Sequence, residues 1–371
     1  MKTKEKYSKN IQNRGQMSLL DIFKKRQKEP VITDNTFIVW EACSLSHSEV
    51  VPGFVKYLAD LGYHVSVLVD PDRLKEGLFE RFNLPNVTLN KIKTKDSRKF
   101  FKKANLSKIK GIMVTTVGKI HNGIGYDDCI ETFNSTLDKN KLLLVEHDIK
   151  AAVDANLWDE KIITLREMDY KNTKTVAINP HYFGDVKITP KNEDIVNFLT
   201  VGIIRPRKKN NGTIIDAVQQ LHNKGITNFK VTVVGKGKIK DIPKEIQKYF
   251  IMKGRLPFNK MYEEIENADY LITSYDADNE RHMRYITTGT SGNFQLIYGF
   301  LKPCLIHKKY APLNFFNEEN AIIYNEAKDY AQAMEKGINL SQDEYSKMQS
   351  NLKQTVNTIY QNSLENLKKI I

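Results

Sequence analysis

Several stretches of this chain place groups that hold phosphate and move protons. TTGTSGN, Thr287 to Asn293, offers the hydroxyls of Thr287, Thr288, Thr290 and Ser291, with Gly289 and Gly292 between them, just ahead of an apolar helical run. A helix N-terminus carries unpaired N–H donors and about half a positive charge. Glycines let the loop turn such donors inward, so the stretch predicts an anion cradle; a plain Ser/Thr helix cap needs only one of those hydroxyls. FLTVGIIRPRKKNNGTIIDAV sets Gly202 at a strand end and Arg205, Arg207, Lys208 and Lys209 just before a helix. Cations at that position suit a diphosphate. VVGKGK puts Gly235 in a second strand-end turn, without the third glycine of a dinucleotide fingerprint.

The first half supplies titratable groups. VEHDI places Glu146, His147 and Asp148 at the end of an apolar strand, and CSLSHSEVVPG places Ser46, His47, Ser48 and Glu49 after an earlier one. A histidine there serves either structure or proton transfer. TTVGKIHNGIGYDD holds Lys119, His121 and Asn122 among three glycines, a loop able to close over a ligand.

The elements that must position these groups follow from hydrophobic patterning. FIVW, HVSVLVD, NVTLNKI, GIMVTT and KLLLVEHD read as buried strands separated by helical or polar segments. After the polar bridge ITPKNED the same grammar restarts with NFLTVGI, FKVTVVG, FIMKGRL, DYLITSY, CLIH and AIIYN. Strand–helix alternation with such continuous apolar strands predicts parallel sheets covered on both faces. The expected fold is α/β, two doubly wound Rossmann-like domains with a ligand cleft at the carboxyl ends of both sheets. The expected layout is a basic extension over 1–35, a first Rossmann-like domain over 36–190 and a second over 191–340. One or two helices over 341–371 are expected to pack back on the first domain.

Composition narrows the partners. The 371 residues carry 57 Lys+Arg against 44 Asp+Glu, a net charge of +13, which favours anionic ligands or surfaces. Nine cations and four acids fall within residues 1–35. There MSLLDIFKKRQK (Met17 to Lys28) reads as a floppy or docked arm or as a helix lying on an acidic membrane surface. Three scattered cysteines without a CxxC argue for a reducing compartment and against structural zinc. No apolar run reaches the roughly 18 residues of a membrane span, and no signal peptide opens the chain. A cytoplasmic protein, peripheral on the inner face of the cell membrane, is expected. Aromatics do not interleave with the basic runs, so nucleic acid is not expected as a partner.

Taken in order, these segments resemble the GT-B nucleotide-sugar glycosyltransferases, most closely the large retaining family 4 group, over about Phe37 to Leu340. FLTVGIIRPRKKNNGTIIDAVQQL is similar to that family's strand, Arg/Lys turn and helix; the resemblance implies that Arg205 and Lys208, or Lys209, bind the donor diphosphate. KVTVVGKGK, MYEEIENADYLITSY, QLIYGFLKPCLI and ENAIIYNEAKDYAQAM match the elements that follow, and VEHDI implies that His147 lies near the transferred sugar. One departure stands out. The family's two glutamates, separated by seven residues, fall by position on Thr288 and Leu296, and its glycine before Lys302-Pro303 is Leu301. Glu280, Asp276 or Asp278 then takes over, or the diphosphate clamp acts alone.

The resemblance implies sugar transfer from a nucleotide-diphosphate donor, bound by the domain over 191–340, to a glycan or lipid-linked acceptor, bound by the domain over 36–190, as in surface-polysaccharide or lipopolysaccharide synthesis. The expected donor site is Gly202, Arg205, Lys208, Lys209, Gly235, Thr288, Gly289, Thr290, Ser291 and Gly292. The catalytic candidates are His147, Glu49 and Glu280, and the acceptor candidates His47, Lys119 and His121. Neither a metal nor a further cofactor is expected; DAD, Asp276 to Asp278, has metal-motif spacing in the wrong domain for this fold. The rival readings are a nucleotide-sugar epimerase or phosphorylase on the same fold, and a non-catalytic protein binding nucleotide sugar or nucleic acid.

Overall fold

Short, fully buried, β-branched-rich runs set the architecture, because such runs lose least when both faces of a strand are covered. The computed structural model describes residues 32–41, 47–117, 137–202, 211–237, 241–273 and 279–371, with 30, 239 and 275 besides. The expectations for the Met17–Lys28 segment, for Lys119 and His121, for Arg205, Lys208 and Lys209, and for Asp276 and Asp278 lie outside the described residues.

The first sheet is built from β1 (Thr36–Trp40), β2 (His64–Val69), β3 (Val87–Lys91), β4 (Gly111–Val117), β5 (Leu142–Glu146) and β6 (Ile162–Thr164). A small antiparallel pair follows, β7 (Asp169–Tyr170) with β8 (Thr173–Lys174), and β9 (Val176–Ala177) completes the sheet. Its order is β3-β2-β1-β4-β5-β6-β9, parallel throughout. The second sheet takes β10 (Val196–Val201), β11 (Phe229–Val234), β12 (Phe250–Gly254), β13 (Tyr270–Ile272), β14 (Cys304–His307) and β15 (Ile322–Tyr324). Its order is β12-β11-β10-β13-β14-β15, again parallel. In each sheet the chain runs outward and then returns to the far side of its first strand, between β1 and β4 and between β10 and β13. Such reversals open crevices at the carboxyl ends of the strands, as the patterning predicts.

The two sheets share one apolar core. It joins Val39, Phe54 and Val145 of the first half to Phe294, Tyr298 and Phe300 of the second. Gly299 makes this contact close: a Cβ there would lie 2.3 Å from the Phe183 ring. The helix Gln342–Ile370 is a single element, started by a capping box between Ser341 and Glu344, in which each residue satisfies the other's backbone donor. It is held at both ends: Tyr345 Oη donates to the Asp269 carbonyl at 2.7 Å, and Asn366 Nδ2 to the Ala177 carbonyl at 3.0 Å. No described helix is long and apolar enough to cross a membrane.

Among the described residues, three buried cations close helix C-termini, where unpaired carbonyls and the negative end of the dipole favour them. Lys191 Nζ donates to the carbonyls of Gly337 and Ile338 at the end of the helix Tyr330–Asn339. Lys302 Nζ donates to the Glu266 carbonyl, 2.8 Å, at the end of the helix Phe258–Glu266, and burial pushes its pKa down to about 8. The third is Arg166, in the site.

Candidate active site

β5 ends at Glu146, whose Oε1 accepts from the backbone N–H groups of His147 (2.9 Å) and Asp148 (3.2 Å), fixing a tight turn. His147 is buried. Its Nε2 lies 3.2 Å from Thr116 Oγ1 and 3.3 Å from the Thr115 carbonyl oxygen at the end of β4. A carbonyl only accepts, so this pairing places a proton on Nε2. His47, from the loop after β1, meets the His147 ring edge-on at 4.6 Å between centroids.

Ser48, between His47 and Glu49, is pinned from beneath. Its Oγ donates to Glu41 Oε1 at 2.8 Å and accepts from Arg73 Nε at 3.1 Å, and Arg73 lies 3.7 Å from Glu41. The pin brings Glu49 against the second half: a Cβ placed on Gly292 would lie 2.7 Å from Glu49 Oε1. Gly292 opens the helix Gly292–Phe300, so the carboxyl sits at that helix's N-terminus. Burial pushes the Glu49 carboxyl up to about 8, opposed by a hydrogen bond from its own backbone N–H; removal from water penalises the charged form.

The loop before that helix is sewn onto the first sheet. Asp148 and Gly289 form an antiparallel bridge; Thr290 N–H donates to the His147 carbonyl at 3.1 Å, and Ile149 N–H to the Thr288 carbonyl at 2.8 Å. Arg166, two residues past β6, reaches across. Its Nη2 donates to the carbonyls of Gly289 (3.0 Å), Tyr285 (3.1 Å) and Ile286 (3.1 Å). It thereby closes the helix Glu280–Thr287 and holds the loop together; burial lowers its pKa to about 10, which leaves it charged.

These bonds narrow the expected anion cradle. Thr288 and Gly289 N–H both donate to the Arg284 carbonyl, and Thr290 N–H is spent on His147. Ser291 is the helix cap: its Oγ accepts from Asn293 N–H at 3.3 Å and bonds the Tyr275 hydroxyl. Thr287 Oγ1 turns back to the Met283 carbonyl. Among the described residues the N–H groups of Ser291 and Gly292 remain for an anion. The four hydroxyls therefore do not all face one ligand; the plain capping role accounts for Ser291.

Gly202 and Gly235 meet at the ends of β10 and β11. Gly235 adopts φ 151°, and a Cβ there would lie 1.8 Å from the Gly202 carbonyl oxygen. The structure thus brings together His47, Glu49, His147 and the loop from Thr288 to Gly292, and pairs Gly202 with Gly235. Glu280 stands exposed in the first turn of its helix, at the end remote from that loop. Leu296, where the resemblance leads one to expect a glutamate, is buried in the shared core, where a carboxylate has no water. Arg166, Arg73, Glu41 and Tyr275 escaped the reading of the sequence. Arg166 follows a strand of three residues, too short to show as a pattern.

No family model matches the chain, and no curated protein matches it in sequence. In structure it is similar to AviGT4, a glycosyltransferase involved in avilamycin A biosynthesis, with a TM-score of 0.55 at 12% identity, covering 90% of this chain and 97% of that one. It is also similar to an alpha-glucosyltransferase solved in complex with UDP and a 13-mer DNA containing a HMU base, with a TM-score of 0.53 at 10% identity, covering 90% and 99%. At these identities the likeness establishes the fold. The chain has the paired Rossmann-like sheets of the GT-B glycosyltransferases.

Proposed function

We propose that this protein is a metal-independent glycosyltransferase that moves a sugar from a nucleotide-diphosphate donor to a glycan or lipid-linked acceptor. The observation that carries the reading is the seating of Ser291 and Gly292, at a helix N-terminus, between two parallel sheets and against Glu49. As the donor bond breaks, negative charge collects on the leaving diphosphate and positive charge on the anomeric carbon. The free N–H pair meets the first charge, with Arg205 and Lys208 as the cations of the same clamp. At neutral pH the Glu49 carboxyl holds its proton, so it donates to a sugar or phosphate oxygen rather than accepting. His147 is then the residue that takes the incoming hydroxyl's proton. Acceptors of surface-polysaccharide type, presented at an acidic membrane face, suit the +13 charge because a cationic surface concentrates near anions.

The test is a thermal-shift screen of nucleoside diphosphates and nucleotide sugars, since a ligand of the native state raises the melting point. Transfer assays with glycan, lipid-linked and DNA acceptors follow for whichever donor binds. Loss of turnover in Arg205→Ala and Lys208→Ala with the fold intact is expected. A sugar altered without any acceptor present would instead identify an epimerase, and full activity in both variants would remove the diphosphate clamp.

A further inference from the structure

More than half of the excess charge lies in one place outside the site. Between Lys91 and Lys110, nine of the residues are Lys or Arg and a single one, Asp96, is acidic, a net of +8 out of the chain's +13. The stretch runs from the end of β3, the edge strand of the first sheet, through the helix Thr94–Lys103 to the approach to β4. Arg98, Lys99, Lys102 and Lys103 are exposed and, by the helical period, share one side of the helix. Ser97 and Phe101 occupy the opposite side and are buried, Phe101 edge-on to Trp40 at 4.9 Å. Lys93, Lys108 and Lys110 extend the exposed positive surface beyond both ends of the helix. Asp96 pairs with Lys99 and Asp34 with Lys108, each at 4.0 Å, and ion pairs so open to water contribute little.

We infer that this face docks the protein, by charge alone, onto an acidic lipid surface. Two observations favour a membrane over a nucleic acid. The cations are spread along one exposed side of the helix and over the residues beyond both its ends. Phe100 is half-buried and Phe101 fully so, and no other aromatic stands in the stretch to stack on a base. Among the described residues, no large apolar side chain between 91 and 110 is exposed, so the docking is by charge without insertion. A polybasic cluster of this size binds anionic headgroups at about 1 kcal/mol per cation near the surface. The inference rests on the proposed function only for its setting, an acceptor held at a membrane.

The experiment is co-sedimentation of the full chain with vesicles of phosphatidylcholine, with and without phosphatidylglycerol. Binding to the phosphatidylglycerol vesicles alone, lost at high salt, is expected. The triple variant Lys99→Glu, Lys102→Glu, Lys103→Glu should bind at least about tenfold more weakly, equivalent to about 1.4 kcal/mol, at an unchanged melting point. If that variant folds poorly, the glutamine triple at the same positions should show a smaller loss in the same direction. Wild-type affinity in the folded variant, or equal binding to phosphatidylcholine alone, overturns the inference. So does absence of vesicle binding alongside binding to duplex DNA that the triple variant loses. Nucleoside-diphosphate binding, read separately by thermal shift, stays at the wild-type level in the variant, so failure of the docking face and failure of the transferase reading are told apart.

Discussion

Arg166 donates to the Gly289 carbonyl through both Nε, at 3.3 Å, and Nη2, at 3.0 Å, so a side chain from the first sheet fixes the loop that opens a helix of the second. The forked guanidinium suits this task because it reaches several carbonyls at once, which a lysine ammonium does not. Removing it leaves buried carbonyls unsatisfied, a cost of about 1–3 kcal/mol each. Arg166→Met should therefore lower the melting point and also weaken nucleoside-diphosphate binding by at least about tenfold. Lys191→Met provides the comparison: it uncaps another helix and should lower the melting point with donor binding unchanged. Equal donor affinity in the Arg166 variant would confine that residue to stability.

Glu49 makes the pH dependence directional. Its folded pKa, about 8, lies above the ordinary carboxylate value of 4.5. Between those values the folded state holds a proton that the unfolded state has released. The contribution is therefore full below about 4.5 and is lost as pH rises through about 8, by the linkage between proton binding and folding. Glu49→Gln cannot ionise and should show a flatter profile of melting temperature against pH. The wild type should fall relative to it from about pH 5 to about pH 9, a window set by that raised value. Parallel curves would mean that the carboxyl ionises normally.

The strands are legible because parallel sheets covered on both faces demand runs that are mostly apolar and β-branched, and TFIVW, GIMVTTV and VNFLTV are such runs. β6 to β9 are not, since so few residues carry no period. The helix Glu280–Thr287, ERHMRYIT, hides behind polar residues that its solvent face tolerates. Within the site, the glycines and the Ser291 cap can be read locally. The use of the Thr290 N–H cannot, because its partner, His147, comes from the other sheet and from a distant part of the chain. Leu301 is equally hard to read. It holds the left-handed conformation at the end of the helix Gly292–Phe300, and a leucine does not announce that geometry, since any Cβ meets crowding there.

Gly235 admits no side chain. Its φ of 151° and the 1.8 Å approach of the Gly202 carbonyl to any added Cβ mean that Gly235→Ala must part the ends of β10 and β11. A stability loss of about 2 kcal/mol or more is expected, within the range seen for overpacking and backbone strain. Donor binding should weaken as well, because Arg205 and Lys208, the proposed diphosphate cations, follow Gly202 closely in sequence. Chemical denaturation and nucleoside-diphosphate titration of the same variant check both effects, and a variant as stable as wild type would show that the two strand ends are free to separate.

Gly292 and Glu49 should prove coupled. Alanine at 292 brings its Cβ to 2.7 Å from Glu49 Oε1, so the single variant Gly292→Ala must push the carboxyl off the helix N-terminus. Glu49→Ala removes the obstacle, and the same glycine change made in that background should be tolerated. A double-mutant cycle on melting stability should then give an interaction energy of about 1 kcal/mol or more, as contacting residues do, whereas distant sites add within about 0.5 kcal/mol. Repeating the cycle on donor affinity separates two uses of the contact. If the carboxyl holds the place that a diphosphate oxygen takes, the donor displaces it and the coupling shrinks when nucleoside diphosphate is bound. If Glu49 donates its proton to the bound donor, the coupling persists in the complex, and Glu49→Ala weakens binding in both backgrounds.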